Sequence, residues 1–230
     1  MTSVIGRRPV ECGITEPRKR FRRRYPLVYE VMNEFEIIEP ESLDTRIAIT
    51  ARHEAGHAAI AARLGLRLRA EGIMVGKDAE GLACYCKQPD GNDVSVEANI
   101  LASFAGCYAE NYFRKEQGYR VRDYDAISGS LDWHEARGIE GRFSWDYLAG
   151  KGISGVHKIL EAKAQDIVVA NWAIVERLAV ELLKREWEPK RALKSGALWS
   201  NAELAKYLFG HKIVEILSDL AISATCVEEC

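Results

Sequence analysis

Two histidines and a glutamate in the segment His53–His57 have the spacing of a metal site, reading His-Glu-Ala-Gly-His. Residues four apart on a helix share one face, so His53 and His57 can bind the same ion. Glu54 is rotated away from that face and can reach a water molecule beside the ion without being a ligand. The pattern is typical of zinc peptidases, in which such a glutamate is the general base.

The residues around this motif predict the helix that must position it. Asp44 or Thr45 is expected to cap the start of the helix, and Gly65 to end it. The alternative without a metal is a surface turn with two solvated histidines, but the flanking residues are small and apolar. Two histidines and a glutamate buried among them need a partner, and a metal is the simplest one. The apolar positions are Ile47, Ala51, Ala55, Ala58, Ala59, Ile60, Ala62 and Leu64.

A third ligand has to come from elsewhere in the chain. A catalytic zinc commonly has three protein ligands and one open position for water. The extended motif with a third histidine six residues after the second is absent, because Arg63 stands there. From the residues alone the choice stays open among several side chains, the two loop aspartates being the weaker candidates: Glu110, Asp123, Asp125, Asp132, His134 and His157.

The composition is that of a folded protein without a strong charge bias. The 230 residues, 47% hydrophobic and 29% charged, suffice for one domain or for one domain plus a tail. A formal net charge of −2 gives no clear indication of nucleic-acid binding. No apolar run is long enough for a membrane span, and no apolar segment follows the first methionine. We therefore expect a cytoplasmic protein.

The six cysteines are scattered rather than arranged as a disulfide scaffold, so we expect reduced thiols. Cys84 and Cys86 would share one face of a strand, which suggests a thiolate metal site. No second pair lies nearby in the sequence, and ordinary thiols are the favoured interpretation.

Residues 1–44 form a charged N-terminal arm, with a basic run over 18–24 followed by an acidic stretch. We interpret it as a solvated arm that folds back on its own acidic stretch. The alternative is a docking arm for nucleic acid, anionic lipid or an acidic partner.

Hydrophobic periodicity predicts a mainly α (α+β) fold with one small hairpin beside the metal-site helix. The helical domain is expected to cover residues 45–210, with 211–230 as a C-terminal tail. The predicted elements are strands over Leu66–Val75 and Leu82–Lys87, helices over Ser95–Phe113, from Leu131 onward and over Val156–Trp187, and a short capped helix over Ser200–Leu208.

Several segments, in order, resemble the peptidase domain of FtsH-type ATP-dependent zinc proteases. Residues 51–58 resemble that family's zinc helix, and the hairpin after them resembles its paired strands. Residues 101–110 resemble its Ala/Gly-Gly-x-x-Ala-Glu helix. Residues 128–132 resemble the turn that presents its third ligand, an aspartate. The resemblance extends over roughly 45–208.

The resemblance implies a zincin-like metallopeptidase domain with one Zn²⁺ per chain. His53, His57 and Asp132 would be the metal ligands and Glu54 the catalytic base. Glu110 is then expected to be a buried carboxylate that supports the ligands, with His134 as the alternative third ligand.

The chain contains no G-x-x-x-x-G-K-[ST] phosphate loop and therefore no ATP site of that type. The expected activity is zinc-dependent hydrolysis of peptide bonds in flexible or unfolded protein segments. The edge of the hairpin could bind such a substrate as an added strand. An ATPase partner acting in trans could deliver it.

Two alternatives stay open, and the sequence specifies neither the substrate nor the oligomeric state. The first is a non-catalytic metal-binding or regulatory protein on the same fold, with the basic arm binding its partners. A purely structural zinc site has no need for Glu54 and prefers four protein ligands. The second is a zinc hydrolase that acts on a non-peptide amide.

Overall fold

The computed structural model describes residues 42–87, 92–123, 130–140, 143–144, 147–148, 156–192 and 200–228. Its class is mixed α+β with most residues in helices, which confirms the expected class. Nearly all of the charged arm lies outside the described residues. The elements, in chain order, are α1 (Leu43–Arg63), β1 (Leu68–Gly76), β2 (Gly81–Tyr85), α2 (Asp93–Glu116), α3 (Leu131–Glu140), α4 (Val156–Ala170), α5 (Trp172–Leu183), β3 (Glu188–Pro189), β4 (Leu204–Leu208), α6 (Gly210–Asp219) and β5 (Cys226–Val227).

Helix α1, which carries the His-Glu-Ala-Gly-His motif, is capped two to three residues earlier than expected. The Ser42 hydroxyl accepts a hydrogen bond from the backbone N–H of Thr45 at 3.1 Å, so the prediction that Asp44 or Thr45 is the cap was wrong. The helix ends at Arg63 and is followed by Gly65 in the left-handed region, with φ of 78°. Gly65 therefore terminates the helix as predicted.

Helices α1 and α2 pack with their backbones unusually close, because small residues line both surfaces. A Cβ added at Gly56 would lie 2.6 Å from the Ala109 Cβ and 2.8 Å from the Ala105 carbonyl oxygen. The glycine in the metal motif therefore allows α2 to lie directly against the motif. This contact brings the Glu110 side chain of α2 within reach of His53 and the Ala102 carbonyl oxygen within reach of His57.

A second anchor holds α1 against α5. The Arg52 guanidinium donates two hydrogen bonds, of 2.9 and 2.6 Å, to the carboxylate of Glu176. Its carbon also lies 3.8 Å from the centre of the Phe113 ring of α2. This bidentate pair with a cation–π contact joins three helices next to the motif.

The long helix predicted over Val156–Trp187 is two helices, α4 and α5, separated at Asn171. The Asn171 side-chain amide donates to the Ile167 carbonyl at 2.7 Å. A side chain that bonds to the preceding turn in this way competes with helix continuation.

The sheet is larger than the predicted hairpin. Strand order is β2-β1-β4-β3, with β5 pairing in parallel with β1, so β2 lies at an edge of this sheet. Strand β4 covers part of Ser200–Leu208, where a short helix was predicted, and that prediction was wrong. Its Tyr207 lies opposite Met74 of β1, and both are buried. Side chains along this segment are buried with a period of two, which is the pattern of a strand.

The C-terminal region belongs to the fold as well. Residues 211–230 were expected to be a tail, but 210–219 form α6 and 226–227 form β5. Ile213 and Leu217, four residues apart on α6, are fully buried in the core that also contains α1. The boundary expected at residue 210 was therefore wrong, because one apolar face of this short helix packs into the core.

Three cysteines in the described residues are free thiols, namely Cys84, Cys107 and Cys226. Cys86 is disulfide-bonded, which corrects the expectation of reduced thiols throughout. None of the described helices combines the length and the apolar character needed to cross a membrane.

Candidate metal centre

Helix α1 presents the two imidazole rings side by side, and a separate acceptor holds each ring. The Nδ1 of His57 lies 2.7 Å from the carbonyl oxygen of Ala102, and the Nδ1 of His53 lies 3.2 Å from Oε2 of Glu110. When Nδ1–H donates to these oxygens, replacement of the Nε2 proton by a metal would use the Nε2 lone pair of each ring. The two Nε2 atoms are 3.1 Å apart.

Asp132 completes the cluster from the first turn of α3. The hydroxyl of Ser130 accepts a hydrogen bond from the backbone N–H of Trp133 at 3.3 Å and so caps this helix. One Asp132 oxygen lies 3.0 Å from His53 Nε2, and the other lies 3.4 Å from His57 Nε2. The structure thus brings together the three residues named as ligands.

The geometry of this cluster suits a single metal ion. Ligands in a tetrahedral site with bonds of about 2.0–2.2 Å lie about 3.3–3.6 Å from one another. The two Nε2 atoms are 3.1 Å apart, and Asp132 reaches them through different oxygens, at 3.0 Å from His53 and 3.4 Å from His57. One ligand atom from each residue lies within 4.8 Å of the others. His53, His57 and Asp132 could therefore bind a metal ion together. Two imidazoles and one carboxylate leave one tetrahedral position open.

Gly106 of α2 provides the space for such an ion. A Cβ added there would lie 2.2 Å from His57 Nε2 and 2.7 Å from His53 Nε2. Any larger residue would occupy the volume toward which both nitrogens point. In the sequence, nothing distinguishes this glycine apart from its place in the segment 101–110 that resembles the FtsH-type helix.

Glu110 lies outside the ligand cluster and supports it. Its carboxylate accepts hydrogen bonds from Arg114 at 2.8 Å and from Arg122 at 3.3 Å, in addition to that of His53. Burial alone would raise the pKa of Glu110, but His53 and the two guanidinium groups lower it to about 2. The carboxylate is therefore ionised at neutral pH and fixes the ring of His53.

The same contacts shift the pKa values of the residues in the ligand cluster. Burial alone would lower the pKa of His53, but its hydrogen bonds to Asp132 and Glu110 raise it well above the ordinary value. Burial alone would raise the pKa of Asp132, and the two histidines lower it far more than that. Asp132 is therefore a permanent negative charge that can face a cation.

Glu54 is buried, with 6% of its surface exposed, and lines a cavity of about 690 Å³ between β2 and α3. A Cβ added at Gly81 of β2 would lie 2.5 Å from its Oε1. Burial raises the pKa of Glu54 above its ordinary value. A carboxylate beside an open metal position can accept the proton of a water molecule bound there.

The other candidate ligands lie elsewhere. His134 lines the same cavity but is exposed and is not in the ligand cluster. His157 lies 3.2 Å from Glu161, one turn further along α4. Asp123 lines a different cavity, and Asp125 lies outside the described residues.

Comparison with known proteins leaves the site to be interpreted from its own geometry. No protein-family model matches the chain, and no curated protein matches it. The described residues define a class of site, namely two imidazoles and a carboxylate positioned for one metal ion, with a buried glutamate beside it.

Proposed function

We propose that this protein is a zinc metallopeptidase that hydrolyses peptide bonds in flexible or unfolded protein segments. The observation that carries the proposal is the convergence of His53, His57 and Asp132 beside Glu54 at a substrate-sized cavity. Two nitrogens, one oxygen and an open fourth position suit a catalytic zinc. The resemblance to FtsH-type peptidase domains is the reason for proposing a peptide bond as the substrate.

Each residue has a distinct part in this proposal. When bound, zinc supplies Lewis-acid activation of water and of the scissile carbonyl. Glu54 accepts the proton of the attacking water and transfers it to the leaving amine. Asp132 and the two imidazoles are the ligands, while Glu110 and the Ala102 carbonyl keep the imidazoles in orientation.

The position of β2 supports an extended peptide as the substrate. Among the described strands β2 pairs only with β1, and its residues from Gly81 to Tyr85 line the cavity that contains Glu54. A peptide that adds to this edge uses its backbone hydrogen-bonding groups and must therefore be locally unfolded. Delivery of such segments by an ATPase partner in trans belongs to the same proposal.

The decisive experiment replaces Glu54 by Gln and measures metal and cleavage separately. The Glu54→Gln variant should keep about one zinc per chain by mass spectrometry of the metal, because Glu54 is not a ligand. Its cleavage of unfolded casein should fall about 10²- to 10⁴-fold, the contribution expected of a general base.

Glu80→Gln is the matched control, because Glu80 is an exposed glutamate in the turn between β1 and β2. This variant should keep both zinc and cleavage. Undiminished cleavage by Glu54→Gln would overturn the proposal. Zinc bound with no cleavage by the unaltered protein would favour the non-catalytic metal-binding alternative.

A further inference from the structure

The thiol of Cys107, on α2, contacts the third residue of the ligand cluster. It donates a hydrogen bond to Oδ2 of Asp132, with 3.6 Å between sulfur and oxygen, and its sulfur lies 3.5 Å from the hydroxyl oxygen of Ser130. A thiol has one hydrogen to donate, so the Ser130 hydroxyl is the donor in its own contact with the sulfur. Cys107 is fully buried, and its thiol therefore joins α2 to the first turn of α3 away from solvent.

Helix α2 also contacts the other two residues of the ligand cluster. The Ala102 carbonyl oxygen lies beside Nδ1 of His57, and the Glu110 carboxylate lies beside Nδ1 of His53. Cys107 precedes Glu110 by three residues, so the two side chains are neighbours on the surface of the helix. With the thiol on Asp132, each residue of the ligand cluster has one polar contact with α2.

Apolar packing of α3 does not account for this contact. Phe104 of α2 and two residues of α3, Ala136 and Ile139, belong to one buried cluster. Those two residues lie one turn or more beyond Asp132, and they hold the body of α3. A carboxylate in the first turn can still rotate about its own side-chain torsions, of which the last is only loosely restricted. A donor that meets one of its oxygens restricts that rotation.

We propose that Cys107 is a positioning residue for the metal centre, with its thiol fixing the orientation in which the Asp132 carboxylate faces the two histidines. The inference deepens the proposed function and rests on it, because holding a ligand matters only where a metal is bound. Among the described residues the ligand cluster comprises His53, His57 and Asp132, so the sulfur acts through Asp132 rather than as a ligand.

Zinc affinity tests the inference without any substrate. Cys107→Ala removes the donor, and its zinc affinity, measured by competition with a chromophoric chelator, should fall about tenfold. That is the low end of the usual effect of losing such a partner, because a thiol is a weak donor. Cys107→Ser keeps a donor and should regain most of the affinity. Cys226→Ala is the matched control, because Cys226 is a free thiol of β5 outside the ligand cluster, and it should leave the affinity unaltered.

The absorption spectrum of the Co²⁺-loaded protein distinguishes positioning from a purely structural role. The visible bands of Co²⁺ report the geometry of its ligands, so they should change in Cys107→Ala and stay unaltered in Cys226→Ala. A residue that only filled space would lower the stability of the protein and leave the spectrum of the folded, loaded form unchanged. Far-ultraviolet circular dichroism shows whether each variant is folded.

Three results would overturn the inference. One is equal zinc affinity of Cys107→Ala and the unaltered protein. Another is a loss in Cys107→Ser as large as that in Cys107→Ala, which would show that the hydrogen-bond donor is not what matters. The third is a sulfur-to-cobalt charge-transfer band that disappears in Cys107→Ser, because the sulfur would then be a ligand itself. Zinc binding without cleavage by the unaltered protein would contradict the peptidase function and leave these comparisons decisive for Cys107.

Discussion

The Glu110 carboxylate and the Asp132 carboxylate contact opposite nitrogens of the His53 ring. Glu110 Oε2 lies 3.2 Å from Nδ1, and Asp132 Oδ2 lies 3.0 Å from Nε2. The ring is therefore held at both ends, by one residue in the ligand cluster and one outside it. Glu110 is itself held by Arg114 and Arg122, so the orientation of His53 depends on a chain of charged contacts.

Replacement of Glu110 by Gln should weaken zinc binding about 10- to 100-fold, the usual effect of losing a carboxylate behind a histidine ligand. The amide keeps the shape but loses the charge that fixes the Nδ1–H of His53. Competition with a chromophoric chelator measures the affinity. Glu116→Gln, an exposed change on the same helix, should leave it unaltered. Equal affinities for the two variants would contradict the supporting role of Glu110.

Replacement of Gly106 by Ala should abolish zinc binding, because the new Cβ would lie 2.2 Å from His57 Nε2. Alanine favours a helix by about 1 kcal/mol over glycine, so any loss cannot come from a weaker α2. Zinc content and far-ultraviolet circular dichroism should be measured together. Retained zinc in a folded Gly106→Ala variant would show that the ion binds elsewhere.

Asp78 joins the turn between β1 and β2 to the segment before β4. Its carboxylate accepts hydrogen bonds from the backbone N–H groups of Asn201 and Ala202, both at 2.9 Å, and from the Ser200 hydroxyl at 3.0 Å. The Asp78→Asn variant loses the charge that these donors stabilise. We expect its free energy of unfolding at about pH 7 to fall by about 1–2 kcal/mol.

The difference should depend on pH in a defined direction. Slight burial alone would raise the pKa of Asp78. The hydrogen bonds that its carboxylate accepts from Glu80, Ser200, Asn201 and Ala202 have the larger effect, and the pKa is lowered. A lowered pKa in the folded state means that the stabilisation is present above the ordinary value of 3.8 and is lost as the pH falls below it. Urea unfolding of both proteins at several pH values checks this.

Asp219→Asn serves as the control for that series, because Asp219 is an exposed aspartate at the end of α6. It should show the stability of the unaltered protein throughout. A stability difference between Asp78→Asn and the unaltered protein that stays constant into the acid range would refute the role given to the charge of Asp78.

Cys84 should react slowly with alkylating reagents, although it lines the cavity. Burial and the nearby Glu71 carboxylate raise the pKa of its thiol to about 12. Only the thiolate reacts, so the rate with iodoacetamide should rise about tenfold per pH unit up to at least pH 10. Mass spectrometry of the Cys84 peptide gives the rate.

Alkylation of Cys84 should also reduce peptide cleavage, because the added group occupies the cavity. Cys84→Ser should make cleavage insensitive to the reagent, which separates this effect from labelling of Cys226. Rapid labelling at about pH 8, at the rate of a free thiol in solution, would contradict the raised pKa.

The histidine pair could be predicted from the sequence because its geometry is local to one helix. Asp132 could not be singled out from the residues alone, since nothing local says which distant carboxylate the fold brings to the histidines. The resemblance to FtsH-type peptidase domains narrowed the choice of the third metal ligand. Gly81 and the arginines around Glu110 depend on contacts between distant segments, and no spacing rule indicates them.

The errors in the fold have a similar origin. The alternation of buried and half-buried residues from Leu204 to Leu208 is the pattern of a strand, but it is short enough to be taken for one helical turn. Helix α6 was missed because only two of its apolar side chains, Ile213 and Leu217, are fully buried. Their burial becomes evident only once the rest of the core is assembled.

The close contact of α1 and α2 has a consequence for motion. Where Gly56 lies against Ala105 and Ala109, and Gly106 against the two histidine rings, the helices have little room to slide or rotate against each other. The half of the cleft that holds both histidines is therefore closely packed. Any opening that admits a chain must come from the opposite wall, formed by β2 and α3. That wall also carries Asp132. A displacement that widens the entrance would therefore also move Asp132 away from the two histidines and weaken metal binding.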